Sequence, residues 1–160
     1  MSQLIEQAKQ SVIAKVAPKD REPLSRIVTA GMKFMYAPQT NDMVHEAMTD
    51  GPPEEAIAKG APIVMGVLMS QSKGTFPPQL VIPAAFVLSF DALDYLAETQ
   101  GFKVTNDLLD RVTYNVGQTL LESAGVKPED VERMHGEATE LLKDPKNKAA
   151  YDQQMASQGA

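Results

Sequence analysis

Apolar residues recur at helical spacing along most of this chain, and proline or glycine closes nearly every run. In SQLIEQAKQSVIAKVAP, Leu4, Ile5, Ala8, Val12, Ile13 and Val16 form one stripe, which Pro18 ends. Asp20 is placed to cap a second helix with a stripe of Leu24, Ile27, Val28, Gly31, Met32 and Met35, closed at Pro38. Met43, Val44, Ala47 and Met48 predict a short third helix, stopped by Asp50 and Gly51. Pro52 and Pro53 open a brief helical turn through EEAIAK, with its acids at the positive end and Gly60 as its stop. Pro62 then starts a helix through about Ser70, with Gly74 as terminator. The next helix follows Pro77 and Pro78 and reaches Gln100; Pro83 either kinks it or marks its true first turn.

Gly101 followed by Phe102 reads as a left-handed C-terminal stop, with the apolar residue folding back. Thr105 caps a helix with the stripe Leu108, Leu109, Val112, Val116, Leu120 and Leu121, and Gly125 with Val126 repeats the stop. Pro128 starts another helix, with Val131, Met134, Ala138, Leu141 and Leu142 inward. Asp144 and Pro145 cap a last helix that fades in QQMASQGA. No strand-like alternation and no repeat of fixed period competes. The expectation is an all-α compact bundle of about six to eight short and medium helices. Residues 1–150 make one domain, and residues 151–160 form a polar C-terminal tail.

One stretch changes this picture. From Ala61 to Phe90 the sequence APIVMGVLMSQSKGTFPPQLVIPAAFVLSF holds a single charge, Lys73. A membrane-spanning helix needs roughly 20 consecutive apolar residues, and SQSKGT with Phe76-Pro77-Pro78 splits the stretch into shorter pieces. An antiparallel helical pair fits better than a re-entrant hairpin. From Leu80 to Phe90 the second helix is apolar all round, so it is the central helix of the domain or meets another subunit. Ile63, Val67, Leu80, Val81, Phe86, Val87 and Phe90 are therefore expected to be buried by both the fold and a neighbouring subunit.

Composition narrows the partners. The chain has 160 residues, 43% of them apolar, and a net charge of -6, which disfavours nonspecific attraction to phosphates or anionic membranes. There is no cysteine, hence no disulfide frame, thiolate metal site or thiol nucleophile. The N-terminal MSQLIEQAKQ lacks the plan of a signal peptide, so a cytosolic site of synthesis is expected.

Candidate chemistry is sparse. His45 in MVHEAM and His135 in ERMHGEA make no zinc pair. Asp91, Asp94 and Glu98 share one helical face, and Asp107 and Asp110 with Arg111 share another. They could face one another as a carboxylate site, but the Glu-x-x-His partners of di-metal bundles are missing, and a solvated face is expected instead. Ser72 and Lys73 are adjacent rather than spaced for a catalytic pair, and KGAPIVMG has too few ordered glycines to cradle a phosphate. Met32, Met35, Met43, Met48, Met65 and Met69 could line an adaptable groove, though at this spacing they read as core filler. No catalytic residue, metal ligand or cofactor is assigned.

The low-charge pair around PIVMGVLM and LVIPAAFVLSF, the Cys-free acidic composition and the polar tail AYDQQMASQGA resemble the small helical structural proteins of tailed bacteriophage particles. The resemblance is one of general character. It implies a non-enzymatic assembly protein of the virion (a neck, tail or internal ejected component), synthesised in the bacterial cytoplasm. Its partners would be further copies of itself and other virion proteins. The ejected kind sheds its soluble packing to engage membranes, a contact disfavoured here, and no sequence-specific nucleic-acid binding is expected. The alternative is a monomeric helical binding module whose Met-rich apolar groove takes a peptide or a small apolar ligand.

Overall fold

The computed structural model describes residues 2–49 and 51–123, with isolated helical positions at 129, 133, 140, 145, 146 and 149. Among the described residues there are six α-helices and no strand, so the all-α reading holds. They are α1 (Gln3–Ala14), α2 (Pro18–Tyr36), α3 (Asn41–Thr49), α4 (Pro53–Gln71), α5 (Val81–Gln100, preceded by a 3-10 turn at Pro78–Leu80) and α6 (Asn106–Ser123). The expected stop at Gly125, the helices after Pro128 and Pro145, His135 and the tail from 151 lie outside the described residues.

Helix α5 is the axis of the bundle. It packs against α1, α2, α4 and α6, while α3 rests on α4 and α2. Named contacts give the directions. Lys9 meets Asp91 and Ser2 meets Asp94, so α1 runs against α5. Gly31 approaches Leu88, and Tyr36 meets Tyr95, so α2 runs with α5. Asn115 reaches the Glu54 carbonyl at 3.3 Å and fastens α6 to the start of α4. The core from Ile5 to Val116 draws on all of these helices except α3.

Several boundaries follow the sequence. Gly101 adopts φ 74°, ψ 29°, and Phe102 packs back on the core. Thr105 Oγ1 accepts the Leu108 N–H at 3.2 Å as an N-cap. Pro83 lies in the first turn of α5, the second of its two expected places.

Three boundaries differ. Pro18 does not merely end α1; it is the first residue of α2, where its missing N–H costs nothing, and Ala17 is held extended before it. Asp20 then sits in the first turn rather than at the cap. The turn through EEAIAK and the helix from Pro62 are one continuous helix, α4, which crosses both Gly60 and Pro62. In isolation Pro would cost about 3 kcal/mol and Gly about 1 kcal/mol. Ile57, Val64, Met65 and Leu68 are buried along that same helix, and each such side chain contributes about 1.5–3 kcal/mol. Packing therefore outweighs the local breakers. Finally, the left-handed turn after α4 begins at Lys73 (φ 52°), one residue before Gly74.

The span Pro78–Gln100, 23 residues with an 18-residue window of mean hydropathy 1.7, is by itself long and apolar enough to cross a membrane. Splitting the low-charge stretch thus does not shorten this piece below spanning length, as the sequence had suggested. Its most apolar window is 61% buried inside the fold, as a central helix should be.

At Gly31 an added Cβ would stand 2.6 Å from Leu88 Cδ1 and 3.3 Å from Leu68 Cδ1. The expected outcome of Gly31→Val is a loss of about 1–3 kcal/mol in denaturant unfolding, and Leu88→Ala in the same chain should recover part of it. Gly101→Val should lose about 1 kcal/mol or more through its left-handed backbone, with no second-site relief from Leu88→Ala.

Candidate functional site

The buried polar residues in the described part are Ser89 and Asp91, both on α5. Ser89 satisfies itself by donating to the Ala85 carbonyl at 2.7 Å. Asp91 cannot do so and reaches across to α1, where its Oδ1 accepts from Lys9 Nζ at 2.7 Å. The side chains keep 5% and 16% of their surface respectively, so this is a largely buried ion pair. Asp91 Oδ2 has no protein hydrogen bond and remains a desolvated acceptor. One turn along, Asp94 Oδ1 accepts the Ser2 backbone N–H at 3.0 Å. Tyr36 at the end of α2 stacks obliquely on Tyr95, with ring centroids 5.3 Å apart. Tyr36 keeps 38% of its surface exposed, and desolvation of the part it buries, then the nearby Asp91, Tyr95 and Asp94, push its phenol up to about 12. These groups form a polar nest where α1, α2 and α5 meet.

The nest sets register more than it adds stability. A buried pair gains Coulomb energy but loses hydration, so its net worth is small, whereas removing one partner strands the other. Beside it, between α1 and α2, lies a groove of about 270 Å³ floored by Val87 and Leu24, with Lys9, Ile13, Arg21 and Val28 on its walls. Arg21 closes one end, donating to the Ala14 and Val16 carbonyls at 3.3 and 3.2 Å.

The seven residues expected to face a neighbour do not form one surface. Leu80, Val87 and Phe90 are buried inside this single chain, so no second subunit is needed to cover them. Val67, Val81 and Phe86 are half-buried, the last two against the core. Only Ile63 is exposed, at 41%. It belongs to a face on which Pro62, Ile63, Gly66, Met69 and Ser70 follow one another at helical spacing along α4. No charge occurs between Lys59 and Lys73. Ile82, 50% exposed, follows in the first turn of α5.

The carboxylates do not converge. Asp91 is buried on Lys9 instead of lying on a solvated face, which corrects that expectation for this residue. Asp107 and Asp110 are exposed on α6, and Arg111 pairs with Asp107 and, at 3.2 Å, with Glu54. Among the described residues no group of three or more His, Asp or Glu could hold a metal. His45 is exposed on α3.

The methionines do not share a groove either. Met35 and Met65 line an apolar internal void of only about 10 Å³, while Met43 and Met69 are exposed. The side chain of Met48 lies outside the described part. No protein family, curated protein or solved structure compared with this chain matches it.

Lys9 escaped the reading of the sequence. Its signal was position: it lies four residues after Ile5, on the inward stripe of α1, where a cation demands a partner.

Asp91→Asn should lower unfolding free energy by about 2–4 kcal/mol, while Asp94→Asn costs about 1 kcal/mol. Replacing the pair together, Lys9→Met with Asp91→Leu, should recover most of the loss in the same denaturant series. The Tyr36 value exceeds the ordinary 10.0, so the folded state holds this proton more tightly. That contribution to stability is complete below pH 10 and is lost as the pH rises through about 12. In a phenolate absorbance titration of the folded protein, Tyr36→Phe should delete the step near pH 12.

Proposed function

We propose that the protein is a non-enzymatic structural subunit that works by helical association with further copies and with neighbouring proteins. The observation that carries this reading is the exposed, charge-free face of α4 bearing Ile63 and Met69, followed by Ile82 on α5. Single apolar residues on a surface need no explanation; Ile63 and Met69 lie on one uncharged helical face, and that arrangement favours a partner. The resemblance to helical proteins of tailed-bacteriophage particles supplies the setting. The protein would be a neck, tail or internal component of the virion, made in the bacterial cytoplasm and holding no cofactor.

A second reading, a monomeric binding module, is favoured by the α1–α2 groove of about 270 Å³. Its walls contain no methionine, so the ligand site would not be the Met-rich one expected from the sequence.

Light scattering across a concentration series separates the two. Assembly predicts a mass that rises with concentration, and Ile63→Glu should weaken that association about tenfold or more with unchanged helicity, because Ile63 is not part of the core. A chain that stays monomeric at all concentrations, with the same mass for the variant, would sink the assembly reading.

A further inference from the structure

We infer that the groove between α1 and α2 binds a small amphipathic monocarboxylate, with the carboxylate on Arg21 and the apolar body on Ile13, Leu24, Val28 and Val87. The inference rests on the binding-module reading above, to which it gives a ligand class, and it does not depend on self-association.

The groove has a polar end and an apolar floor. Arg21, Leu24 and Val28 follow one another along one face of α2. Ile13 faces them from α1, and Val87 of α5 closes the base. Ile13 and Val28 are half-buried and give a ligand apolar walls above the buried Leu24 and Val87. A cavity of about 150 Å³ holds a benzene-sized molecule. By the same scale the groove of about 270 Å³ takes roughly ten heavy atoms, the size of octanoate.

Arg21 is the charge that can hold an anion. Its Nε donates to the Val16 carbonyl at 3.2 Å and its Nη2 to the Ala14 carbonyl at 3.3 Å. Both bonds leave from one edge of the guanidinium. The group has five donors in a planar fork, so the opposite edge, Nη1 with the second Nη2 proton, keeps two parallel donors. That edge matches the two oxygens of a carboxylate. The carbonyls fix the plane of the guanidinium without neutralising it. Among the described residues no carboxylate forms an ion pair with it.

The other charges of the groove are engaged. Lys9 is committed to Asp91 at 2.7 Å, and drawing it onto a ligand would strand a carboxylate that already has one unpaired oxygen. Glu6 accepts from Gln10 at 3.1 Å. It precedes Ala14 by more than two helical turns, roughly 12 Å at about 1.5 Å per residue. Its repulsion of a carboxylate on Arg21 is therefore screened, since the Debye length is about 8 Å at physiological salt. An ammonium ligand of the same shape would meet Arg21 and Lys9 without a partner for its charge.

The test titrates octanoate into the full-length chain with isotope-labelled methyl groups, beside octan-1-ol and octylammonium as probes of matching length. Octanoate should shift the methyl NMR signals of Leu24, Val28 and Val87 and bind about tenfold tighter than octan-1-ol, with octylammonium weakest. Arg21→Gln should weaken octanoate about tenfold and leave octan-1-ol unchanged. Arg21→Lys, which keeps the charge without the fork, should restore part of the loss. Ser25 is exposed on the groove wall, so Ser25→Trp should block octanoate and octan-1-ol alike. That variant reads the same site if Arg21→Gln does not fold. Octanoate binding that survives Arg21→Gln or Ser25→Trp overturns the inference. Octan-1-ol binding in the groove as tightly as octanoate removes the carboxylate assignment and leaves the binding-module reading standing. No methyl shift with any of the three probes removes both.

Discussion

The fold is organised around the burial of α5, which packs against four other helices and leaves Ile82 in its first turn exposed. From Leu80 to Leu96 this helix presents no continuous polar face, and its residues point at four different neighbours. Each of the other long helices can be read as a solution to one side of it. Gly31 lets α2 come close because it carries no side chain at the crossing. Helix α4 stays helical through Gly60 and Pro62 because its inner face is needed against α2, α5 and α6. The total is a bundle in which local breakers are tolerated wherever they serve the central contact.

Inside that apolar arrangement Asp91 is the exception, and it gives α1 its address. Apolar stripes allow helices to slide or rotate with little change in energy, because dispersion and burial are non-directional. A buried carboxylate with a single ammonium partner has no such freedom. The Lys9–Asp91 pair contributes little net stability for its desolvation, but it penalises every register of α1 that leaves Asp91 alone.

The surface divides in a way that bears on association. The uncharged face of α4 lies on the opposite side of that helix from its buried residues and takes no part in the core. The polar nest and the α1–α2 groove belong to another region, around α1, α2 and α5. A chain with two separate features of this kind can associate through one without disturbing the other.

Much of the helical architecture was legible along the chain. The αL stop at Gly101, the Thr105 cap, the stripes of α1 and α6 and the buried character of α5 depend on neighbours within a few residues, and such local preferences survive into the fold. The continuity of α4 was not legible, because a Gly and a Pro read as breaks until the burial of Ile57, Val64, Met65 and Leu68 is known to oppose them. Nor was the division of the seven-residue surface: the spacing of Ile63, Leu80, Val87 and Phe90 says that they are apolar, while which of them the chain covers itself depends on where α1, α2 and α6 come to rest. Asp91 shows the same limit most plainly. Its place on α5 is a matter of sequence, but its partner is 82 residues away, and only tertiary packing brings Lys9 to it. Local chemistry decides what each segment prefers; long-range burial decides which preferences are overruled and which charges must meet.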